Sequence, residues 1–88
     1  MVVTDVRLTL LSKPGCHLCD DARDVVASVI ADLGATATVS VEELSILDDP
    51  ELQDRYWDEI PVVLINDRVH TVWRVDAARL SAAIAAAS

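Results

Sequence analysis

The two cysteines of this chain, Cys16 and Cys19, are separated only by His17 and Leu18. A Cys-X-X-Cys pair is typical of reversible thiol–disulfide chemistry when it lies where a strand passes into a helix. The flanking sequence predicts that placement, because an apolar segment precedes the pair and a segment with helical periodicity follows it. We therefore expect redox chemistry at these two sulfurs.

If the pair opens a helix, the two sulfurs have different surroundings. Cys16 would lie at the helix N-terminus, where unpaired backbone N–H groups and the helix dipole favour a thiolate. We assign Cys16 as the attacking thiol, with a pKa below the ~8.5 of a free cysteine. Cys19, one turn further in, is the resolving thiol. Lys13 and His17 could add positive charge beside Cys16, whereas Asp20 could oppose it.

Two other interpretations of the cysteines stay open. A fixed structural disulfide would gain little, because so short a loop contributes only about 2 kcal/mol in the chain-entropy formula. A zinc site would need four ligands, and only His17 and His70 remain as strong candidates. His17 lies inside the Cys-X-X-Cys loop, which strains joint ligation, and His70 is distant in sequence. We predict no bound metal.

The composition limits the classes of function. With 88 residues, 52% of them hydrophobic, we expect one folded domain over residues 1–88. Seven Lys and Arg against fifteen Asp and Glu give a formal net charge of −8, which disfavours nucleic acid and anionic membranes as partners. No apolar run reaches the ~18–20 residues of a membrane span, and the N-terminus has no signal-peptide pattern. We expect a cytoplasmic monomer.

Periodicity and turn residues predict seven elements in the order β-α-β-α-β-β-α. The expected elements are strand 6–11, a helix from Leu18 to Gly34, strand 35–42, a helix from Asp49 to near Trp57, strands 61–65 and 68–73, and a helix capped by Asp76 with Leu80 and Ile84 buried. Asn66-Asp67 is predicted to be a two-residue hairpin turn. A mixed four-stranded sheet flanked by helices follows from this order.

The segment Leu11-Ser12-Lys13-Pro14-Gly15-Cys16-His17-Leu18-Cys19 resembles the active-site segment of glutaredoxins. Further along the chain, Ile60-Pro61 is similar to the place where that family carries a cis-proline before its third strand. The later Trp73-Arg74-Val75-Asp76 segment resembles a bacterial glutaredoxin-like branch. The resemblance covers nearly the whole chain and implies the thioredoxin/glutaredoxin fold.

The resemblance also implies a function. It implies a disulfide oxidoreductase in electron transport and cell redox homeostasis, with no bound cofactor and with glutathione or another low-molecular-weight thiol as reductant. Its partner would be a disulfide-containing protein or a small thiol. Lys13 would meet a carboxylate of glutathione, and the Ile60 backbone beside cis-Pro61 would pair with an extended partner segment.

This sequence departs from the family pattern in its middle dipeptide, His17-Leu18, and in the region of Thr71-Val72-Trp73, where typical glutaredoxins carry a Gly-Gly pair that helps bind glutathione. Two further functions stay open, although the missing Gly-Gly pair disfavours the second. One is a non-enzymatic interaction module that uses the cysteines as a redox latch. The other is an iron–sulfur carrier that works across a dimer through Cys16 and an external thiol.

Overall fold

The computed structural model describes residues 5–34 and 38–87, which form a four-stranded sheet, three α-helices and one 3-10 helix. The elements are β1 (Asp5–Ser12), α1 (His17–Leu33), β2 (Thr38–Ser45), the 3-10 helix (Ile46–Asp48), α2 (Pro50–Tyr56), β3 (Val62–Ile65), β4 (Arg68–Val72) and α3 (Ala77–Ala87). The order of strands and α-helices confirms the prediction, and the 3-10 helix is an addition to it.

The sheet is mixed, as predicted, and its strand order is β2-β1-β3-β4. β1 runs parallel to β2 and antiparallel to β3, and β4 runs antiparallel to β3. Near the end of β1, Leu11 pairs with Leu44 of β2 and with Val62 of β3. The segment that follows β1 and the segment that precedes β3 therefore meet at the same end of the sheet.

Two clusters of buried side chains hold the helices on the sheet. The larger cluster joins β1, β3, α1 and α3 and consists of Val6, Leu8, Leu10, Ala22, Val26, Val29, Val63, Ile65, Leu80 and Ile84. The smaller cluster lies at the end of α1 that carries the cysteines and consists of Leu11, Cys19, Ile46, Tyr56, Ile60 and Val62. One of the two cysteines is thus itself a core residue.

The predicted helix boundaries are confirmed where capping residues set them. Gly34, with a φ of +53°, ends α1 in a conformation that glycine adopts without steric cost. Asp49 caps α2 by accepting the Glu51 N–H at 2.9 Å, and Pro50 takes the first helical position. Asp76 likewise accepts the Arg79 N–H at 2.9 Å at the start of α3.

The prediction for β2 was wrong in its boundary. The strand is observed at Thr38–Ser45 and so runs past the predicted end at 42; positions 35–37 of the predicted range lie outside the described residues. Val41, on this strand, is 48% exposed. β2 is an edge strand with β1 as its only neighbour in the described sheet, so few side chains cover it.

The hairpin between β3 and β4 confirms the predicted turn at Asn66-Asp67. Both residues have positive φ, +50° and +69°, which is the requirement of a two-residue type I′ turn. Asn66 accepts the Arg7 backbone N–H at 2.8 Å, so the turn is also tied to β1. β4 ends at Val72, one residue earlier than predicted, because Trp73 leaves the strand with a φ of +67°.

Candidate redox site

The cysteine pair lies at the junction of β1 and α1, where the sequence predicts it. After β1, Lys13 and Pro14 are exposed, and Gly15 turns the chain with a φ of +77°. A side chain at Gly15 would meet no neighbouring atom within 4 Å, so it is the backbone conformation that favours glycine there. The turn delivers Cys16 to the N-cap position of α1.

Cys16 and Cys19 form a disulfide, with their Cα atoms 5.2 Å apart. The Cys16 sulfur also accepts the backbone N–H of Cys19 at 3.2 Å, so the thiol takes the capping role that serine or aspartate usually plays. Cys16 is partly exposed, whereas Cys19 has no exposed surface. An incoming group can therefore reach the first sulfur but not the second.

A charge cluster lies on the first turns of α1. The Arg23 guanidinium donates to both carboxylate oxygens of Glu43 on β2, at 2.7 and 2.6 Å, and to Asp20 at 2.8 Å. The Asp20 carboxylate, which the sequence places where it could oppose a Cys16 thiolate, is thus paired with a cation. The buried Ser12 hydroxyl completes the cluster by donating to Glu43 at 2.8 Å.

These contacts shift the pKa of Glu43 and the pKa of Arg23. The hydrogen bonds from Arg23, and secondarily the one from Ser12, lower the pKa of Glu43, with burial acting in the opposite direction. The same bonds to Glu43 and Asp20 raise the pKa of Arg23. The lowered pKa of Glu43 and the raised pKa of Arg23 both favour the charged pair, so Arg23 and Glu43 link α1 to β2.

The two residues expected to tune Cys16 are both exposed. His17 is the first residue of α1, directly after the capping cysteine, and Lys13 lies in the turn that precedes it. Neither side chain takes part in an ion pair among the described residues. Both are therefore free to face an incoming partner, and their tuning role stays a prediction.

The Ile60–Pro61 peptide is cis, as the resemblance implies. Ile60 belongs to the same buried cluster as Cys19, and Cys16 packs against that cluster, so this segment lies beside the pair. Among the described residues, the Ile60 amide and carbonyl take part in no hydrogen bond outside the strand ladders. These two backbone groups are therefore not used by the fold of the described residues, and their pairing with a partner stays a prediction.

Trp73 is part of the site that sequence reasoning missed. Its indole Nε1–H donates to the Asp58 carbonyl at 2.9 Å, and its backbone N–H donates to the Pro61 carbonyl at 2.9 Å. With Leu18, Asp21, Ala22, Val25, Arg74 and Val75 it also lines a groove of about 240 Å³ along α1. Sequence alone offers no signal for these bonds, because they join segments that only the fold brings together.

His70 does not contribute to the site. It is half-buried on β4 and lines a separate groove with alanines of α3, including Ala83 and Ala86. Burial, and secondarily the charge of Arg79, lower the pKa of His70. β4 is an edge strand of the described sheet, and neither cysteine lines this groove.

The described residues contain neither a metal-binding cluster nor a membrane-spanning helix. Within 5–34 and 38–87, no group of three or more His, Cys, Asp or Glu side chains is arranged to hold a metal ion. Across the same ranges, no helix combines the length and apolar character that crossing a bilayer requires.

The mixed sheet, the flanking helices and the paired cysteines at a helix N-terminus define a protein of the thioredoxin-fold class. The chain belongs to the glutaredoxin-like domain family, whose model matches residues 7–85. In that family, a Cys16–Cys19 pair at disulfide distance indicates a redox function.

Known relatives agree with this membership. The chain is 34% identical to an uncharacterized protein, Rv0508, of Mycobacterium tuberculosis over 80 residues, which is 90% of this chain and 82% of the relative. It is 25% identical over 79 residues to a glutaredoxin-like protein, the YDR286C homolog of Dictyostelium discoideum, covering 85% of this chain and 71% of that protein. The X-ray structure of protein XcR50 from X. campestris is similar, with a TM-score of 0.73 and 33% identity over 92% of this chain and 99% of that one.

Proposed function

We propose that this protein is a thiol–disulfide oxidoreductase that reduces protein disulfides through the Cys16–Cys19 dithiol. The observation that carries the proposal is the asymmetry of the pair. The Cys16 sulfur is partly exposed and accepts an amide hydrogen bond at a helix N-cap, whereas Cys19 is fully buried one turn away. A nucleophile needs access and a stabilised thiolate, and a resolving thiol needs only proximity.

The reaction transfers two electrons from the dithiol to the substrate. The Cys16 thiolate attacks one sulfur of the substrate disulfide; a Cys16–substrate bond forms, the substrate S–S bond breaks, and its second sulfur leaves as a thiolate that takes up a proton. Cys19 then loses its proton and attacks the Cys16 sulfur. The Cys16–Cys19 bond forms, and the mixed disulfide breaks to release the reduced substrate.

The surrounding residues support this reaction. The Cys19 N–H already points at the Cys16 sulfur, so the donor that would stabilise the thiolate is in place before the disulfide opens. Lys13, in the turn before Cys16, and His17, directly after Cys16, are both exposed and would stabilise negative charge on that sulfur. The Ile60 backbone beside Pro61 would align an extended partner segment.

Reducing equivalents come from a low-molecular-weight thiol such as glutathione, or from a flavin reductase. The electrons travel through sulfur alone, so the reaction needs no bound cofactor. A reducing compartment such as the cytoplasm keeps the dithiol ready. The protein acts as a monomer in this scheme, because both reacting sulfurs belong to one chain.

Reduction of insulin disulfides by the purified chain, with excess dithiothreitol or glutathione as reductant, tests the proposal. We expect Cys16→Ser to lower the rate by at least about 100-fold, since it removes the nucleophile. Cys19→Ser should instead accumulate a mixed disulfide, visible by mass spectrometry, and in cell extract it should trap the physiological substrate.

Two results would contradict the proposal. One is insulin reduction by Cys16→Ser at the wild-type rate. The other is a wild-type protein without turnover whose cellular phenotype survives in Cys16→Ser. The second result would support a non-enzymatic docking module instead.

A further inference from the structure

Trp73 has a backbone conformation that bulky residues rarely adopt. Its φ is +67°, in the left-handed region where glycine is favoured. The Arg74 N–H donates to the Val72 carbonyl at 2.8 Å, which makes Trp73 the centre of a tight turn with positive φ, a rare and strained type. Such strain persists only where the surrounding structure enforces it.

Hydrogen bonds to one segment account for this conformation. The Trp73 backbone N–H donates to the Pro61 carbonyl at 2.9 Å and to the Glu59 carbonyl at 3.3 Å, and the indole Nε1–H donates to the Asp58 carbonyl at 2.9 Å. All three acceptors lie within Asp58–Pro61. Trp73, which follows β4, thus fixes the Asp58–Pro61 segment, which precedes β3.

Burial of the ring does not explain this arrangement. Trp73 is 56% exposed and belongs to neither buried cluster. Trp57 is similarly exposed, at 63%, but its indole makes no hydrogen bond to another described residue. The indole N–H of Trp73 is therefore the group that distinguishes it from an ordinary surface tryptophan.

The fixed segment is the one beside the cysteines. It contains Ile60, which packs in the same buried cluster as Cys19 and whose backbone groups take part in no hydrogen bond outside the strand ladders among the described residues. We propose that Trp73 is a positioning residue that holds Asp58–Pro61 against the Cys16–Cys19 pair so that a protein disulfide docks in line with Cys16. The kinetic part of this inference rests on the proposed function; the holding of the segment does not.

Trp73→Phe is the primary test, because it keeps an aromatic ring and removes the indole N–H. Trp57→Phe is the matched control. Three quantities are measured for each: kcat/KM for insulin reduction, the rate of Cys16 alkylation by iodoacetamide in the reduced protein, and hydrogen exchange of the backbone amide at position 73.

We expect Trp73→Phe to lower kcat/KM for insulin by about fivefold and to accelerate exchange at position 73 by a similar factor, as for the loss of one hydrogen bond. The alkylation rate should stay within about twofold, since a small reagent needs no docking segment. Trp57→Phe should change none of the three. Trp73→Gly, which relieves the positive φ, should lose at least as much insulin activity.

Other outcomes would overturn the proposal. Equal losses of insulin reduction and alkylation would make Trp73 a residue that merely supports the fold of the site. Wild-type insulin kinetics in both Trp73→Phe and Trp73→Gly would remove its role in docking. If the wild-type protein reduces no insulin, the proposed function fails. The holding role of Trp73 is then judged by hydrogen exchange alone. An unchanged exchange rate at position 73 in Trp73→Phe would show that the indole does not hold Asp58–Pro61.

Discussion

At the residue scale, the site depends on one sulfur atom replacing an oxygen at a helix N-cap. Serine or aspartate at this position would satisfy a free amide and do nothing more. Cys16 satisfies the Cys19 amide in the same way, and the amide in return stabilises negative charge on a nucleophile. Capping and catalysis therefore require the same geometry, and the three-residue spacing supplies the second sulfur one turn away.

His17 provides a prediction at this scale. It is the first residue of α1 and is exposed, so proline is tolerated at its position without loss of a helical hydrogen bond. If an imidazolium stabilises the Cys16 thiolate, then His17→Pro should make the reduction potential more negative, because the reduced state loses that support. Equilibration with glutathione redox buffers measures the shift.

A second variant separates the imidazole from the backbone in this experiment. His17→Gln removes the ring but keeps the backbone N–H, and it should shift the potential in the same direction. A shift in His17→Pro alone would assign the effect to the proline, and an unchanged potential in both variants would remove the tuning role.

The residues of the site differ in how far sequence could reveal them. Local spacing was enough to predict Cys16 and Cys19, and the family resemblance was enough to predict Pro61. Trp73 and Glu43 were not, because each acts through a partner distant in sequence: Glu43 binds Arg23, and Trp73 binds Asp58. No local pattern specifies which distant carbonyl or guanidinium a side chain will meet.

At the scale of elements, the Arg23–Glu43 contact ties the helix that carries the cysteines to the edge strand of the sheet. The contact is bidentate, and the Glu43 carboxylate also accepts the hydroxyl of buried Ser12. Ser12 is the last residue of β1, directly before the turn that leads to Cys16. The cluster therefore connects β1, α1 and β2 at the end of the sheet where the chemistry occurs.

Substitutions of Glu43 test this connection. Glu43→Gln loses the charge but keeps an acceptor for Ser12, and we expect it to lower the free energy of unfolding by less than about 1 kcal/mol, as for an exposed ion pair. Glu43→Ala should cost about 1 kcal/mol more, because the Ser12 hydroxyl is left buried without a partner. Urea denaturation at pH 7 measures both, with Glu42→Gln on the same strand as the control.

The pH dependence of the Glu43 effect has a definite sign. Because the folded protein lowers the pKa of Glu43 below its ordinary 4.5, the ionised form stabilises the folded state at any pH above that value. The stabilisation is lost as the pH falls through the lowered pKa. The difference between wild type and Glu43→Gln should therefore vanish in strong acid, and a difference that persists there would contradict the ion-pair explanation.

Elements whose limits are set by local chemistry were predictable, and β2 shows where this fails. Gly34, Asp49 and Asp76 end or cap helices through contacts within a few residues, so sequence located them correctly. The alternation at 35–42 predicted a strand, but alternation does not reveal which strands become its neighbours. Burial depends on the neighbours of a strand, and an edge strand with one partner leaves residues such as Val41 exposed.

At the scale of the whole molecule, the protein is strongly acidic, with a formal net charge of −8. Lys13 lies in the turn before Cys16, and Arg74 lines the groove that includes Leu18; both are exposed, and neither is in an ion pair among the described residues. The longest dimension is 40 Å. The Debye length is about 30 Å at 0.01 M salt and about 8 Å at 0.15 M. A substrate at the site therefore interacts with the net charge of most of the protein at low salt, and only with nearby charges at 0.15 M.

The net charge and its screening by salt predict how the charge of a small disulfide affects the rate of its reduction. At 0.01 M salt the field of the whole protein repels anions, so cationic cystamine should be reduced about tenfold or more faster than anionic glutathione disulfide. At 0.15 M the ratio of the two rates should fall toward one, because charges more than about 8 Å from the reacting sulfur are then largely screened. Lys13→Ala should then slow glutathione disulfide and leave cystamine unchanged or faster. A rate ratio that does not respond to salt would mean that long-range charge plays no part in the choice of partner.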